Sequence, residues 1–484
     1  MKKRTIINIL LFCLLSITIN AQNQTSIDLS NYKLSDNAIT YSNYSSEIDQ
    51  TTISILDDNK LNIIVLDEDL NKTNDSIFFD LPSTGYFIEN SIITSKNINY
   101  LLAKKDGYMS LLSYNRDSKS WELGNSLNRD GERLLSTFSY KNQFYIFNYE
   151  RKNGLIKVYT AESKGLIPFS TYNLSNFKLG NNDLSYFLKK KKKAFKAITN
   201  KSPNDLFAAR KSKKVYQFNE LVYFSIDDSI SHNVGLIKFN LNSKKHSISY
   251  FKNTISSCDS LQFSKSTLTE NYLATISGCL KKATINFWDL KSEKIIKSAS
   301  FAEKELITIK NFDNLISPKK AQSIEILKSQ VLLRKLVAKE AAIYMVEKEN
   351  NLELIVGRLI IKKKKNKINQ NKNSGGGKGD GTGGGRQKKL DRIEKRKIKG
   401  SGIAKSYLNY ETSKPQYFVC NYNIKSQKFD TEAIYKNTFE DIRSFKIKND
   451  IRVLNKQIIF SINKNYWFGF INPLSKHLEL IKID

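Results

Sequence analysis

The sequence predicts an all-β protein: a β-propeller of about eight four-stranded blades, with seven as the alternative count. A short pattern recurs, in which an aromatic or aliphatic residue ends an apolar stretch and is followed by Asn or Asp, two free positions and Ser. The clearest copy lies in the run Ile285 to Lys294, INFWDLKSEK; others are Tyr114-Asn115-x-x-Ser118, Phe239-Asn240-x-x-Ser243, Tyr422-Asn423-x-x-Ser426 and Ile471-Asn472-x-x-Ser475, with Tyr159-Thr160-x-x-Ser163 a variant. Leu66-Asp67 and Val346-Glu347 keep the logic without the Ser. The second positions fall at 67, 115, 160, 240, 289, 347, 423 and 472. The two long intervals each hold a compositionally odd insertion, and without these the mean spacing is about 49 residues, the length of a four-stranded blade.

The pattern makes an elbow. A short polar side chain after the last buried residue bonds back to the turn backbone and tolerates the left-handed conformation, and the Ser hydroxyl takes another backbone partner. The flanks alternate, as in Leu236-x-Lys238-Phe239, or stay apolar, as in Trp467-Phe468-Gly469-Phe470-Ile471. Half-buried and fully buried strands read this way. An irregular sandwich, the competing fold, would not keep so steady an interval.

One segment also resembles a known repeat. Leu261-x-Phe263-Ser264, then Leu273 to Gly278 (LATISG), then Ile285-Asn286-Phe287-Trp288-Asp289-Leu290 are similar to three successive strands of a WD40-type blade. The Gly-His pair that opens that family's repeat is absent, and the likeness covers residues 261–294 only. It implies a blade and no function.

In chain order, residues 1–21 read as a secretory signal: Lys2-Lys3-Arg4, an apolar run around Ile9 to Leu15, then Ile19-Asn20-Ala21. This run is short for a spanning helix and suits cleavage after Ala21, with an uncleaved anchor as the competing reading. Cys13 lacks the small residues that would precede a lipid-modified cysteine. The expectation is an exported chain, in the periplasm, at the cell surface or outside the cell, with residues 22–484 a single soluble domain without a transmembrane helix. Outside the cytoplasm Cys258 and Cys279 are placed to form a disulfide, with buried free thiols as the alternative. Cys420 reads as a buried core thiol.

The net charge of +31 is not evenly spread. Lys189 to Lys214 holds eleven basic residues and one acid, and Lys362 to Gly400 holds fifteen basic and three acidic residues. With the signal set aside, the remaining chain is close to neutral. The first insertion, 183–214, is expected to be helical, with Leu184, Leu188, Phe195 and Ile198 on one face, Asp183 as its cap, and a second short helix from Ser202-Pro203. Its apolar face packs on the propeller in the favoured reading. The second, 362–400, is rich in Gly and Lys and lacks the apolar residues that offset ordering entropy, so it is expected to be disordered. Its glycines superficially match a phosphate loop, but no Gly-Lys-Ser/Thr ending is present. Lys189, Lys190, Lys191, Lys192, Lys193, Lys362, Lys363, Lys364 and Lys365 are the candidate polyanion-binding residues, acting by counterion release.

Local catalytic motifs are missing from the sequence. His232, His246 and His477 have no second ligand at useful spacing, and HExxH, CxxC and Gly-x-Ser-x-Gly do not occur. Asp57-Asp58, Asp67-Glu68-Asp69 and Asp227-Asp228 read as turn residues before they read as calcium ligands or acid and base. Aromatic residues read as core, with a sugar-stacking surface cluster the minority alternative. No cofactor, metal or catalytic residue is expected. The favoured function is a non-catalytic binding or scaffolding module for a protein, an anionic polysaccharide or an envelope component, with nucleic acid bound only non-specifically. Alternatives are a polysaccharide lyase or hydrolase acting at the channel mouth, and an envelope-associated protein held by its basic insertions.

Overall fold

A computed structural model describes residues 24–483 except 33, 36–37, 105–106, 128–130, 163–164, 189–194, 199–201, 254–257, 303–305, 308–326, 329–332, 335, 339–340, 360–401, 414, 431–436, 452–455, 464 and 473. The expected signal, the lysine run 189–193 and all of 362–400 therefore lie outside the described residues.

The chain is all-β, built of small antiparallel sheets, an arrangement consistent with a propeller. Among the described residues seven sheets have four or more strands. In chain order they occupy residues 39–80, 86–123, 132–173, 213–251, 263–302, 341–430 and 457–483, here sheets 1 to 7. Within sheets 1 to 6 the strands pair in sequence order. Sheet 7 has three consecutive strands and takes its fourth from the other end of the chain, where Gln24–Asp28 pairs antiparallel with His477–Ile483. Sheet 4 gains a fifth, parallel strand, Lys196–Ala197, on its first strand Lys213–Phe218.

Strands that are apolar on both faces explain how the sheets stack. In Lys60–Leu66 the side chains of Leu61, Ile63 and Val65 join a core with Tyr100, Leu102 and Leu112 of sheet 2. Ile64 and Leu66 join another with Ile458, Leu478 and Leu480 of sheet 7. Each such side chain contributes about 1.5–3 kcal/mol on burial. Further shared cores join sheets 2 and 3 (Leu101, Met109, Phe144, Ile146), 3 and 4 (Phe147, Val158, Phe224, Phe239), and 5 and 6 (Ala274, Phe287, Ile343, Leu354). The largest core contains Leu236 and Phe251 of sheet 4, Leu273 of sheet 5, Tyr344 of sheet 6 and Phe468 of sheet 7. It also takes in Tyr407 and Phe439 from helices Gly402–Ser413 and Thr438–Lys448.

The elbows work as the pattern predicts, with one correction. The side-chain oxygens of Asn115, Asn240, Asp289, Asn423 and Asn472 each accept the N–H of the Ser three residues on. The left-handed residue, however, is not the Asn or Asp but the one after the Ser: Lys119, Lys244, Glu293, Gln427 and Lys476 have φ of 52°, 54°, 56°, 54° and 57°. The eight elbows are not spread one to a sheet. Glu347 and Asn423 fall in the same sheet, at its first and third turns, and Asn472 joins the second and third strands of its own sheet. The elbows at Asp67, Asn115, Asn240 and Asp289 join third to fourth strands, and the variant from Tyr159 runs into Ser163, outside the described residues. Polar turn chemistry is common to every hairpin, so the elbows do not all mark equivalent corners.

The WD-like segment gains a physical role for its Trp. Trp288 Nε1 donates to Thr275 Oγ1 at 3.3 Å, and Thr275 Oγ1 donates to Asn253 Oδ1 at 2.8 Å. Asn253 Nδ2 donates to Ser264 Oγ and to the His232 carbonyl. This chain of bonds stitches sheet 5 to the loop leaving sheet 4. Beside it, the sulfurs of Cys258 and Cys279 are bonded, with Cα atoms 6.1 Å apart. Cys420 is a free, partly covered thiol that burial pushes up to about 12.

Candidate binding surface at the insertion rim

Each sheet has an end where its first strand begins and its second strand ends. The described parts of both basic insertions attach at this end, the entry rim. The first insertion is less helical than expected. Its helix covers only Leu184–Leu188, while Lys196–Ala197 is strand. Asp183 caps the helix as predicted, accepting the Tyr186 N–H at 2.8 Å. Leu184, Leu188, Phe195 and Ile198 are all buried, so apolar spacing correctly marked the packed residues while mistaking a turn of helix plus a strand for one helix. Two cations grip the end of this helix: Lys213 Nζ donates to the Phe187 carbonyl and Arg133 Nη1 to the Leu188 carbonyl at 2.7 Å. Phe195 packs edge-on against Phe224, with ring centroids 4.8 Å apart.

The second short helix begins later than predicted, at Leu206–Ala209. Ser202 does not cap it; its carbonyl accepts from Tyr344 Oη at 2.8 Å, and Asn204 Oδ1 accepts the Leu206 N–H at 3.1 Å. This helix packs against Gly402–Ser413, the helix that follows the second insertion, and against strands Ala341–Lys348 and Asn351–Leu359, the latter ending where that insertion starts.

Lys196 therefore stands among other cations. Burial, then the charges of Lys405 and Lys211, hold its ammonium down to about 8, with Asp205 opposing. Lys214 is different. It is fully buried, donates to the Lys211 carbonyl at 3.0 Å and pairs with Asp227, and burial lowers it to about 8 against that attraction. Asp227 Oδ1 also accepts from Ser266 Oγ, so this ion pair binds sheet 4 to sheet 5 rather than facing a ligand.

The predicted candidates Lys189 to Lys193 and Lys362 to Lys365 lie outside the described residues. Lys196, Lys211 and Lys405 carry no motif; the charges of Lys405 and Lys211 reach Lys196, beside Asp205, because two remote segments pack together. The three histidines sit apart: His232 in the turn after Asp227, His246 of sheet 4 against Tyr172 of sheet 3, and His477 opposite Asp28. Asp67 accepts the N–H groups of Asp69 and Asn71 and is a turn residue.

Among the described residues, clefts open in three other places. One of about 390 Å³ between sheets 2 and 3 is lined by Asn97, Asn99, Ser113, Glu122, Gln143 and Glu162 among others. One of about 290 Å³ lies where the first strands of sheets 4, 5 and 6 end, at Phe218, Glu270 and Glu347. The third, of about 470 Å³, lies between sheet 1 and the Gln24–Asp28 strand.

No known protein family matches the chain, and no curated protein matches it. Among solved structures it is similar to Saccharomyces cerevisiae Sqt1, at 7% identity over 96% of this chain and 99% of that one, with a TM-score of 0.33. It is also similar to cobalt-substituted Synechocystis apocarotenoid oxygenase (9% identity, 54% of this chain, TM-score 0.30) and to a Lactobacillus plantarum protein (10% identity, 66% of this chain and 80% of that one, TM-score 0.29). The chain spans 61% of the length of the oxygenase. Likeness at these scores carries no argument about fold or activity.

Proposed function

We propose that this chain is an exported, non-catalytic binding module, a single β-propeller of seven blades that holds an anionic polymer on its entry rim. Several contacts support the ring. Gln24–Asp28 completes the last sheet, the strand Gln457–Ile462 of sheet 7 packs beside Ile39–Ser45 of sheet 1, and the shared cores run from sheet to sheet.

The observation that carries the ligand reading is that the packing of Leu206–Ala209 on Gly402–Ser413 and on strand Asn351–Leu359 brings together the places where both cationic insertions attach, so that the charges of Lys405 and Lys211 act on Lys196, opposed by Asp205. A polyanion there adds to the partial offset that Asp205 supplies, and released counterions add to the affinity. An envelope phosphate polymer and an extracellular sulfated or uronic polysaccharide share this chemistry.

The test is binding to heparin and to lipopolysaccharide across a salt series, with the mature chain, a deletion of 362–399, and the pair Lys196→Ser with Lys405→Ser. The expected result is salt-sensitive binding that falls at least about tenfold in the deletion and also falls in the Lys196→Ser, Lys405→Ser pair. Binding to neither polymer, or equal binding by all three proteins, overturns the reading. Preference for one polymer identifies the source.

A further inference from the structure

Phe78 is 70% exposed on the outermost strand of sheet 1, Lys72–Asp80, and it opens onto the largest of the three clefts described above. Its neighbours are fixed by register. Asn62 lies directly opposite Phe78, and Lys60 lies directly opposite Asp80. Residues two apart share a face, so an aromatic ring, a carboxamide, a carboxylate and an ammonium form a patch whose directly opposed members have Cβ atoms about 4.5–5.5 Å apart.

The facing wall is the segment after the closing strand, and it is tied at both ends. Asp28 accepts from the Ser30 N–H at 2.7 Å and from Ser30 Oγ at 3.0 Å, which holds its carboxyl below the usual range. Asp57 accepts from the Ser35 N–H at 2.6 Å and from Ser35 Oγ. Between these ties the Tyr32 ring lines the cleft, with Lys72 Nζ 5.9 Å from its centroid. The site is thus pre-formed by local bonds instead of depending on a ligand for its shape.

We propose that this cleft is a saccharide site for a neutral, vicinally hydroxylated sugar unit, which stacks its C–H face on Phe78 and bonds through Asn62, Asp80 and Lys60. Sugar hydroxyls donate and accept at once, and the lining offers both capacities side by side. The exposed ring supplies apolar area with little conformational entropy to lose. Three carboxylates (Asp28, Asp57, Asp80) against two ammoniums (Lys60, Lys72) disfavour an anionic ligand here. At about 470 Å³ the cleft falls in the range of small-molecule sites. This site is separate from the cationic rim and does not depend on the reading of that rim.

The experiment is an array of neutral oligosaccharides of glucose, galactose, mannose and N-acetylglucosamine, followed by calorimetry on the best binder, using the mature chain. Phe78→Ala and Asn62→Ala are each expected to weaken binding at least about tenfold, and Phe78→Trp to retain it. Phe78 is exposed and Asn62 is half-buried, and unchanged melting temperatures establish that the variants fold. Affinity is expected to be insensitive to salt, unlike binding at the rim. No neutral sugar bound, binding confined to sulfated or uronic glycans, or undiminished binding by Phe78→Ala each overturns the proposal.

Discussion

Ser26 lies directly opposite Glu479, and its hydroxyl donates to the Glu479 carboxylate at 3.3 Å across 453 residues of sequence. The Gln24 amide donates to the same carboxylate at 3.1 Å. Two ends of the chain thus share one ladder. Ile27, 4% exposed in this strand, packs with Leu478 and Leu480. Ile27→Ala is expected to cost about 2–4 kcal/mol, seen as a lower melting temperature. Deletion of residues 24–28 exposes a strand edge and should raise light scattering on storage.

The elbows predict opposite effects from two small changes. Asn240→Ala removes the acceptor for the Ser243 N–H and is expected to cost about 1 kcal/mol in urea unfolding. Gln427 holds φ of 54° at an exposed position, where Gly adopts that conformation without the steric penalty. Gln427→Gly should be neutral or stabilising by up to about 1 kcal/mol.

Thr275 both donates to Asn253 and accepts from Trp288 in the interior of sheet 5. Thr275→Val keeps the shape and leaves both partners short of a bond. A loss of about 1–3 kcal/mol is expected, with a shift in Trp fluorescence.

Lys196 gives a pH signature. Its folded value of about 8 is below its ordinary 10.5. Between these values the unfolded chain holds the extra proton, so the stability this group contributes rises as pH climbs through the window and is lowest below it. Lys196→Met should therefore raise the melting temperature most at about pH 7, with the gain over the native protein shrinking toward about pH 10. A gain that is constant with pH contradicts the assignment.

The Cys258–Cys279 bond closes a loop with a sequence separation of 21. Cys279→Ala is expected to cost about 3 kcal/mol. Alkylation of the denatured, unreduced mature chain should label Cys420 and spare the other two, as read by peptide mass.

Much of the fold was legible because its strands are short and its turns chemically explicit: Asn115, Asn240, Asp289 and Asn423 each name a third-to-fourth strand turn by their own side-chain bond. The number of sheets was less legible. Val346-Glu347 and Ile471-Asn472 end strands with the same chemistry at other turns, and nothing local distinguishes them. The pairing of Gln24–Asp28 was not legible, since its partner is at the far end of the sequence. The lysine runs drew attention by composition, whereas Lys196 and Lys405 are single residues that meet only through packing. Likewise Phe78 and Asn62 become neighbours through register, which depends on the whole hairpin.

The shared ladder between the two ends has a consequence for biosynthesis. The strand Gln24–Asp28 emerges among the first described residues and waits, with its N–H and C=O groups unmatched, until His477–Ile483 is made. At roughly 5–20 residues per second, that interval is tens of seconds. A chain released early would carry an orphaned strand and an unfinished sheet, so translation arrest near the end should yield a chaperone-bound or degraded product rather than a slightly shorter functional one.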